Sequence, residues 1–383
     1  MKKRICILTS SFPFGKTDPS SAGGLSIRDF TLLLSKENLE IFVLAPGKPI
    51  THNPYPFNVN YYSWLGYGDG LSSLNPKNPI AIFKLLIAIF SGISNTLKFV
   101  KKHDIDHCLA MWAVPSGLFA LFANFFYKTP YTVWALGSDI WDIKKYPFGM
   151  FFLKKVLKNA KQLFADGIKL TNDVEKISRK DCSFLASNRF LDKSSKNIHY
   201  SKFDPKKINF IFIGRYHHNK GIDLLIDAIS LLNEQQKSLI LFHIFGGGPL
   251  EKKIKKSVYE KNLSSLVFVN NWLDENLVYQ YMSNSDFIII PSRIESIPVI
   301  LSNAVQTKTP IILTNVGDMG ELANQYNVGI IVEPTAHDIA KGIVTAINSP
   351  KSTLSGYNSG RLKLSEYLDL SRSVKIFINS LKH

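Results

Sequence analysis

Glu295 is a lone carboxylate boxed between Pro291 and Pro298 in the stretch PSRIESIPVILSNA, directly after the apolar run Asp286 to Ile290. The run reads as a buried strand, and the segment after the loop reads as a helix with Pro298 at its favoured first position. Glu295 is then held beside a helix N-terminus, whose free NH groups and positive dipole end attract phosphate. A ligand that combines phosphate with hydroxyl groups, such as a nucleotide sugar, would use both. The plainer alternative is that Glu295 caps its own helix.

A second set of candidates lies in IFIGRYHHNKGID, residues 211–223. A strand ends, Gly214 permits close approach of a ligand, and Arg215 and Lys220 flank a loop that runs into a helix. Two cations at that spacing can converge on a diphosphate and neutralise a departing nucleoside diphosphate; the alternative is two ordinary solvated charges. A glycine cluster, Gly246 to Gly248, follows another strand and lets backbone approach a nucleotide or simply makes a tight turn. Near the N-terminus, Gly23 and Gly24 close a long loop after the first strand. Their NH groups would reach the phosphate from the opposite side of a cleft, unless the loop is merely flexible.

The elements that must position these residues alternate along the chain. Short apolar runs at 5–9, 41–45, 107–112, 131–136 and 162–166 read as parallel strands covered on both faces, with helices at 25–37, 80–102, 115–127 and 148–159 between them. After a polar connector, 192–207, a second series begins, with strands at 208–213, 239–245, 266–269, 287–290, 311–314 and 329–332. Helices between these are expected at 221–233, 248–261, 275–282, 298–306 and 319–324. The prediction is an α/β chain of two Rossmann-like domains facing each other across a cleft, with ligands bound beyond the carboxyl ends of the strands. The domains are placed at 1–203 and 204–363.

Bulk composition narrows the partners. Residues 1–203 carry 27 Lys and Arg against 14 Asp and Glu, whereas residues 204–383 carry 19 against 16. The basic excess of the first half points to an anionic membrane surface or an anionic lipid-linked substrate. No motif or aromatic platform supports nucleic-acid binding. The cysteines Cys6, Cys108 and Cys182 are odd in number and lack metal-ligand spacing, which fits a reducing, cytoplasmic setting and no metal site. The apolar segment Ile80 to Val100 is interrupted by Lys84, Ser91, Asn95 and Lys98 and is read as a helix of the domain, not a bilayer span. FFLKKVLK, residues 151–158, is amphipathic, which suits peripheral attachment on the inner face of the cytoplasmic membrane or plain packing on a sheet.

GRYHHNKGIDLLIDA, GGGPL and DFIIIPSRIESIPVILSNAVQTKTPIILTNVGDMGEL, in this order and spacing, resemble the donor-binding domain of retaining family 4 glycosyltransferases of the GT-B fold, the glycosyl transferases group 1. The glycine pair Gly23 and Gly24, Ile105-Asp106-His107 and Ala135-Leu136-Gly137-Ser138-Asp139 extend the similarity to the first half. The resemblance implies that Arg215 and Lys220 bind the donor diphosphate and that Glu295 contacts hydroxyls of the donor sugar. It implies that the backbone of Ser296, Ile297, Pro298 and Val299 holds sugar and phosphate, and that Asn271, Trp272 and Leu273 lie at the base. Trp272 is otherwise a core residue. Gly137, Ser138 and Asp139 fall on the acceptor side, and a C-terminal helix at about 364–383 crosses back to the first domain.

Two positions depart from the family pattern. Asn303 stands where a second Glu often contacts the ribose, and an amide still hydrogen-bonds a hydroxyl. Leu136 stands where a His often precedes Gly-x-Asp, which removes an imidazole from that place; His107, at a strand start, reads as structural.

The activity expected is retaining transfer of a sugar from a UDP- or GDP-sugar to a hydroxyl of a glycan or lipid-linked acceptor, in surface polysaccharide or glycolipid biosynthesis. No second carboxylate is evident as a nucleophile, so attack on the same face is favoured, with a donor phosphate oxygen taking the acceptor proton, as is commonly proposed for the family. No acidic pair sits at a suitable strand end and two cations can replace a divalent ion, so metal independence is expected, with no cofactor beyond the nucleotide sugar. The competing readings are a non-catalytic nucleotide- or glycan-binding subunit, motivated by Asn303 and Leu136, and a nucleotide-sugar epimerase.

Overall fold

The computed structural model describes residues 2–13, 24–47, 52–62, 79–191, 203–349 and 355–382. The chain divides into two units, Met1–Ser187 with Leu370–His383, and Asn188–Asp369. Each is built on one parallel sheet.

In the first unit the strands are β1 (Lys3–Leu8), β2 (Leu39–Pro46), β3 (Asn58–Tyr62), β4 (His107–Met111), β5 (Tyr131–Ala135), β6 (Gln162–Ala165) and β7 (Cys182–Phe184). They lie in the order β3-β2-β1-β4-β5-β6-β7, and every pairing is parallel. Helices α1 (Leu25–Leu34), α2 (Pro79–His103), α3 (Ser116–Tyr127), α4 (Ser138–Trp141), α5 (Gly149–Asn159) and α6 (Ile168–Ser178) supply the crossovers. Burial on both faces explains the unbroken apolar runs. Ile5, Ile7, Leu109 and Met111 join one core layer, which includes Phe30 of α1, while Cys6, Leu8, Cys108 and Ala110 join the layer that holds residues of α2, α3 and α5.

The second unit contains β8 (Ile208–Arg215), β9 (Ile240–Gly247), β10 (Val267–Asn270), β11 (Phe287–Ile290), β12 (Ile311–Thr314) and β13 (Gly329–Val332), in the parallel order β10-β9-β8-β11-β12-β13. Its helices are α7 (Ile222–Ser230), α8 (Glu234–Ser238), α9 (Glu251–Glu260), α10 (Glu275–Asn284), α11 (Val299–Thr307), α12 (Gly317–Tyr326), α13 (Ala336–Asn348) and α14 (Asn358–Tyr367). In each sheet the strand order reverses beside the first strand, between β1 and β4 and between β8 and β11. Such switch points open a crevice at the carboxyl ends where ligands bind.

Three features differ from the sequence expectation. The polar edge strand β3 and the three-residue β7 lack the apolar run that marks the others. The division falls at Ser187/Asn188 rather than 203/204, because Asn188 Nδ2 donates to Leu368 O at 2.9 Å and Arg189 pairs with Glu275, tying this stretch to the second unit. The expected single C-terminal helix breaks at Leu368–Asp369. There α14 stays with the second unit, and α15 (Leu370–Ser380) packs on the first, with Phe377 edge-on to Phe30 at 6.0 Å and Ser373 Oγ donating to Ala186 O at 3.1 Å.

The long helix α2 forms over the expected residues. The stretch Ile82–His103 is apolar and long enough to cross a membrane by length and composition, with a mean hydropathy of 1.4, yet only 17% of its most apolar window is buried. Lys84 and Lys98 lie within the stretch and Lys101 and Lys102 in its last turn, while Asn95 Nδ2 donates to Ser91 O at 2.8 Å.

Candidate functional site

The loops that leave β8 and β11 flank the switch point of the second sheet; Arg215 ends β8, and the loops carry Lys220 and Glu295. Phe287 and Ile288 of β11 pair with Phe210 and Ile211 of β8, so both loops start from the same end of adjacent strands. Two glycines let the backbones close on one another. Gly221 has φ +66°, and a Cβ there would lie 1.8 Å from Pro291 O. Gly317 has φ +52°, and a Cβ there would lie 2.0 Å from Glu295 O. Any other residue at either position would push the Glu295 segment away from its seat.

Polar contacts then fix the pair of loops. The Arg293 guanidinium grips Asp223 through two parallel hydrogen bonds of 2.7 and 2.9 Å, and its Nη1 also donates to His218 O at 2.7 Å. Arg293 N donates to Asn219 O at 2.8 Å. Burial pushes the Asp223 carboxyl up, but the hydrogen bonds and charge of Arg293 outweigh it and hold the group below its ordinary value. Ser296 Oγ donates to Asp318 Oδ2 at 2.9 Å, and Thr314 Oγ1 donates to Ser292 O at 2.5 Å. Lys220 Nζ donates to Glu295 Oε2 in an ion pair between largely covered side chains. Arg215 is exposed and has no ion pair among the described residues.

Glu295 therefore does not cap α11; Pro298 occupies the N-cap, one position earlier than expected, and Val299 opens the helix. Asn303, one turn into α11, is buried, and its Oδ1 has no hydrogen-bond partner among the described residues. A buried acceptor without a partner is costly, so a hydroxyl or amide brought to it is favoured.

The glycine cluster packs on protein. Gly246 and Gly248 face the backbone and ring of Tyr216, whose hydroxyl donates to Asn270 O at 2.7 Å. Gly214 packs on the Phe212 ring. Asn271 and Trp272 are exposed and Leu273 is half-buried; the Trp272 indole lies over Gly247, so Trp272 is no core residue.

In the first unit Gly23 falls outside the described residues, and Gly24 packs on the Ser11 carbonyl ahead of α1. Gly137 takes φ +103° and turns the chain from β5 into α4. Asp139 is fully buried; its Oδ2 accepts from Ala113 N and its Oδ1 from Leu136 N at 3.1 Å. Burial raises its pKa to about 6 against the pull of those NH donors. Its oxygens hold the loops after β4 and β5. Leu136 lines a small cavity with Ser26, Ile27, Met111, Trp134 and Ser187. His107 is buried against Thr132 Oγ1 at 2.9 Å, a structural place.

Arg293, Asp223, Gly221 and Gly317 are the residues that sequence reasoning left without a role. Arg293 and Asp223 both lie inside the motifs quoted for the site, but 70 residues apart in the chain, so only the folded structure pairs them.

Residues 194–362 match the family of glycosyl transferases group 1. The chain is 27% identical over 270 residues to an uncharacterized glycosyltransferase of Methanocaldococcus jannaschii, covering 68% of this chain and 72% of that protein. It is also 27% identical to the capsular polysaccharide biosynthesis glycosyltransferase CapH of Staphylococcus aureus, over 64% of this chain and 70% of the relative. Among solved structures, sucrose-phosphate synthase from Thermosynechococcus elongatus superposes with a TM-score of 0.79 at 13% identity, over 100% of this chain and 98% of that one. Anabaena HepE in complex with UDP-glucose superposes with a TM-score of 0.73 at 14% identity, over 99% of both chains. The fold is that of the GT-B glycosyltransferases.

Proposed function

We propose that this chain, whose residues 194–362 form a group 1 glycosyl transferase domain, is a retaining transferase that moves a sugar from a UDP- or GDP-sugar to a hydroxyl of a glycan or lipid-linked acceptor in surface polysaccharide or glycolipid biosynthesis. The observation that carries the reading is the pairing of Lys220 with Glu295 at the switch point, beside the exposed Arg215 and the N-terminus of α11. Without ligand, the carboxylate neutralises the amine. A donor diphosphate takes Lys220 and Arg215, which frees Glu295 to accept hydrogen bonds from the sugar. Ser296, Ile297, Pro298 and Val299 supply the backbone that receives sugar and phosphate, Trp272 with Asn271 and Leu273 borders the base, and the open Oδ1 of Asn303 accepts from a ribose hydroxyl.

In the transfer, the bond from the sugar C1 to the diphosphate oxygen breaks while the acceptor oxygen bonds to C1 from the same face. A donor phosphate oxygen takes the acceptor proton. Arg215 and Lys220 stabilise the negative charge that develops on the leaving diphosphate, so a divalent ion is not required and a chelator leaves turnover unchanged. Support for a UDP-linked donor comes from HepE, solved with UDP-glucose, and support for a polysaccharide product from CapH. The protein works in the cytoplasm at an anionic membrane surface, in keeping with the basic first half and three buried free cysteines.

The test is thermal unfolding against UDP, GDP, ADP and their sugar conjugates. A ligand at 100 times its Kd adds roughly 2.7 kcal/mol to the folded state. One base standing out fixes the donor class; stabilisation by none of them overturns donor binding and leaves the supporting-subunit reading in front.

A further inference from the structure

The outer layer of the first unit exposes large apolar side chains in a way that its core does not require. On α2, Ile80, Phe83, Leu86 and Phe90 fall on one face of the helix, and Phe90 is 76% exposed. At the start of α5, Phe148, Phe151 and Phe152 point outward as well, Phe148 with 78% of its surface exposed. Single exposed apolar residues are ordinary, but four on α2 and three at the start of α5, on either side of α3, give this layer two apolar faces.

Both groups lie at the same end of the sheet. α2 ends at His103, just before β4, and α5 ends at Asn159, just before β6, so their C-termini mark the amino ends of the strands. A Cβ on Gly92 of α2 would lie 2.2 Å from the Phe119 ring of α3, and one on Gly117 of α3 would lie 2.6 Å from Val156 of α5. These contacts level Gly92 and Val156 with the first turn of α3. The thirteen residues of α2 before Gly92 and the first two turns of α5 therefore reach past α3, beyond the carboxyl ends of β4 and β5. At a rise of about 1.5 Å per residue the α2 overhang is on the order of 20 Å. The loop carrying Gly137 and Asp139 leaves β5 at this end. Phe125, Phe126 and Tyr127, at the other end of α3, belong to the opposite edge.

The charges select the occupant. α2, α3 and α5 contain no Asp or Glu, and the overhanging parts of α2 and α5 carry Lys84, Lys154 and Lys155, while Lys98, Lys101, Lys102 and Lys158 lie toward the amino ends of the strands. Lys154 and Lys155 are exposed beside the α5 phenylalanines, with the Lys155 ammonium 5.8 Å above the Phe151 ring. An apolar face flanked by cations, with no carboxylate on α2, α3 or α5 and the neighbouring Asp142 paired with Lys145, is complementary to a layer with acyl chains beneath anionic headgroups.

We propose that this end of the first unit seats on an anionic lipid bilayer surface, with the overhanging half of α2 and the start of α5 lying in the interface and their lysines at the phosphates. This surface deepens the acceptor side of the proposed function and rests on that reading only in its purpose: it brings the strand ends of the first unit to where a lipid-linked acceptor resides.

Vesicle co-sedimentation of the full chain tests it, with phosphatidylcholine vesicles that contain or lack phosphatidylglycerol. The wild type is expected to bind the anionic vesicles preferentially. The variant Phe83→Ser/Phe90→Ser/Phe151→Ser should lose at least about tenfold in partition, since it removes three aromatic side chains from the face that enters the interface. Phe125→Ser/Phe126→Ser, on the opposite edge, should stay within about twofold. Wild-type partition in the triple variant, equal losses in both variants, or no dependence on phosphatidylglycerol overturns the proposal. So does a wild-type dimer in sedimentation equilibrium that the triple variant dissolves, which would make a second copy the occupant. Nucleotide-dependent unfolding is recorded on the same proteins. Vesicle binding without nucleotide stabilisation sinks the donor reading and leaves this surface standing; the reverse sinks the surface alone.

Discussion

The two units share a strand order around their switch points but finish the carboxyl ends of their sheets with different chemistry. In the second unit the loops after β8 and β11 are laced by charged side chains: Arg293 to Asp223, Lys220 to Glu295 and Ser296 to Asp318. In the first unit Asp139 turns inward onto backbone NH groups, Leu136 lines a cavity, and the nearby helices expose phenylalanine. One scaffold thus presents converging charge on one unit and a greasy, basic-rimmed edge on the other. The contrast fits a constant anionic ligand at the first kind of end and an amphiphilic one at the second.

The sharpest way to break the comparison is to remove a charge that has no structural duty. Arg215 is exposed and unpaired among the described residues, so Arg215→Ala should leave the unfolding midpoint unchanged. If Arg215 stabilises the leaving diphosphate, transfer should fall by about a hundredfold or more. Unchanged turnover would remove the cation from the chemistry. Arg293→Ala acts differently, because it strips a two-pronged partner from the covered Asp223 and a donor from His218 O. It should cost about 1–3 kcal/mol of stability and weaken nucleoside diphosphate binding by loosening both loops. Arg293→Lys, which keeps the charge but not the fork, should recover only part of each. Full stability in Arg293→Ala would show that the glycine contacts alone hold the loops.

Glu295→Gln separates sugar from phosphate within the same end. Transfer should drop at least about tenfold, about 1.4 kcal/mol at the barrier, because a carboxylate acceptor is lost. Affinity for the nucleoside diphosphate should stay or tighten, since Lys220 no longer has a competing carboxylate. Equal loss of both would make Glu295 a support for the loop.

The charged end was legible in the sequence and the apolar end was not, for a physical reason. Arg215, Lys220 and Glu295 sit in short strand-loop-helix segments, and local rules suffice to place them at strand ends. What joins them is a pair of residues far apart in the chain, Asp223 and Arg293, and backbone approaches at Gly221 and Gly317. No local pattern announces such closeness. The apolar residues of α2 have the spacing of a helix facing a core, and only the folded structure shows that Ile80, Phe83, Leu86 and Phe90 stay exposed. The same limit explains Asp139, whose position matched a family motif while its oxygens went to Ala113 and Leu136.

Proton linkage supplies the finest test, since the inward-turned groups of the first unit oppose each other. Burial, with help from Lys3 and Lys161, lowers the His107 pKa from 6.5 to about 3. The unfolded chain therefore binds the extra proton between those values, and this contribution to stability is lost as pH falls below about 6.5. Asp139 has the reverse sign. Its pKa rises from 3.8 to about 6 on folding, so the folded chain takes up a proton first, and stability is gained as pH falls from about 6 to 3.8. Between about pH 6 and 4 these two contributions offset one another. Asp139→Asn should lower the midpoint at every pH, because an amide has one oxygen for two NH donors. It should also expose the His107 slope, so that the midpoint declines steadily from about pH 6.5 downward. A variant with the wild-type pH profile would mean that Asp139 keeps the same protonation state folded and unfolded, and that the buried carboxylate is carried by its backbone donors alone.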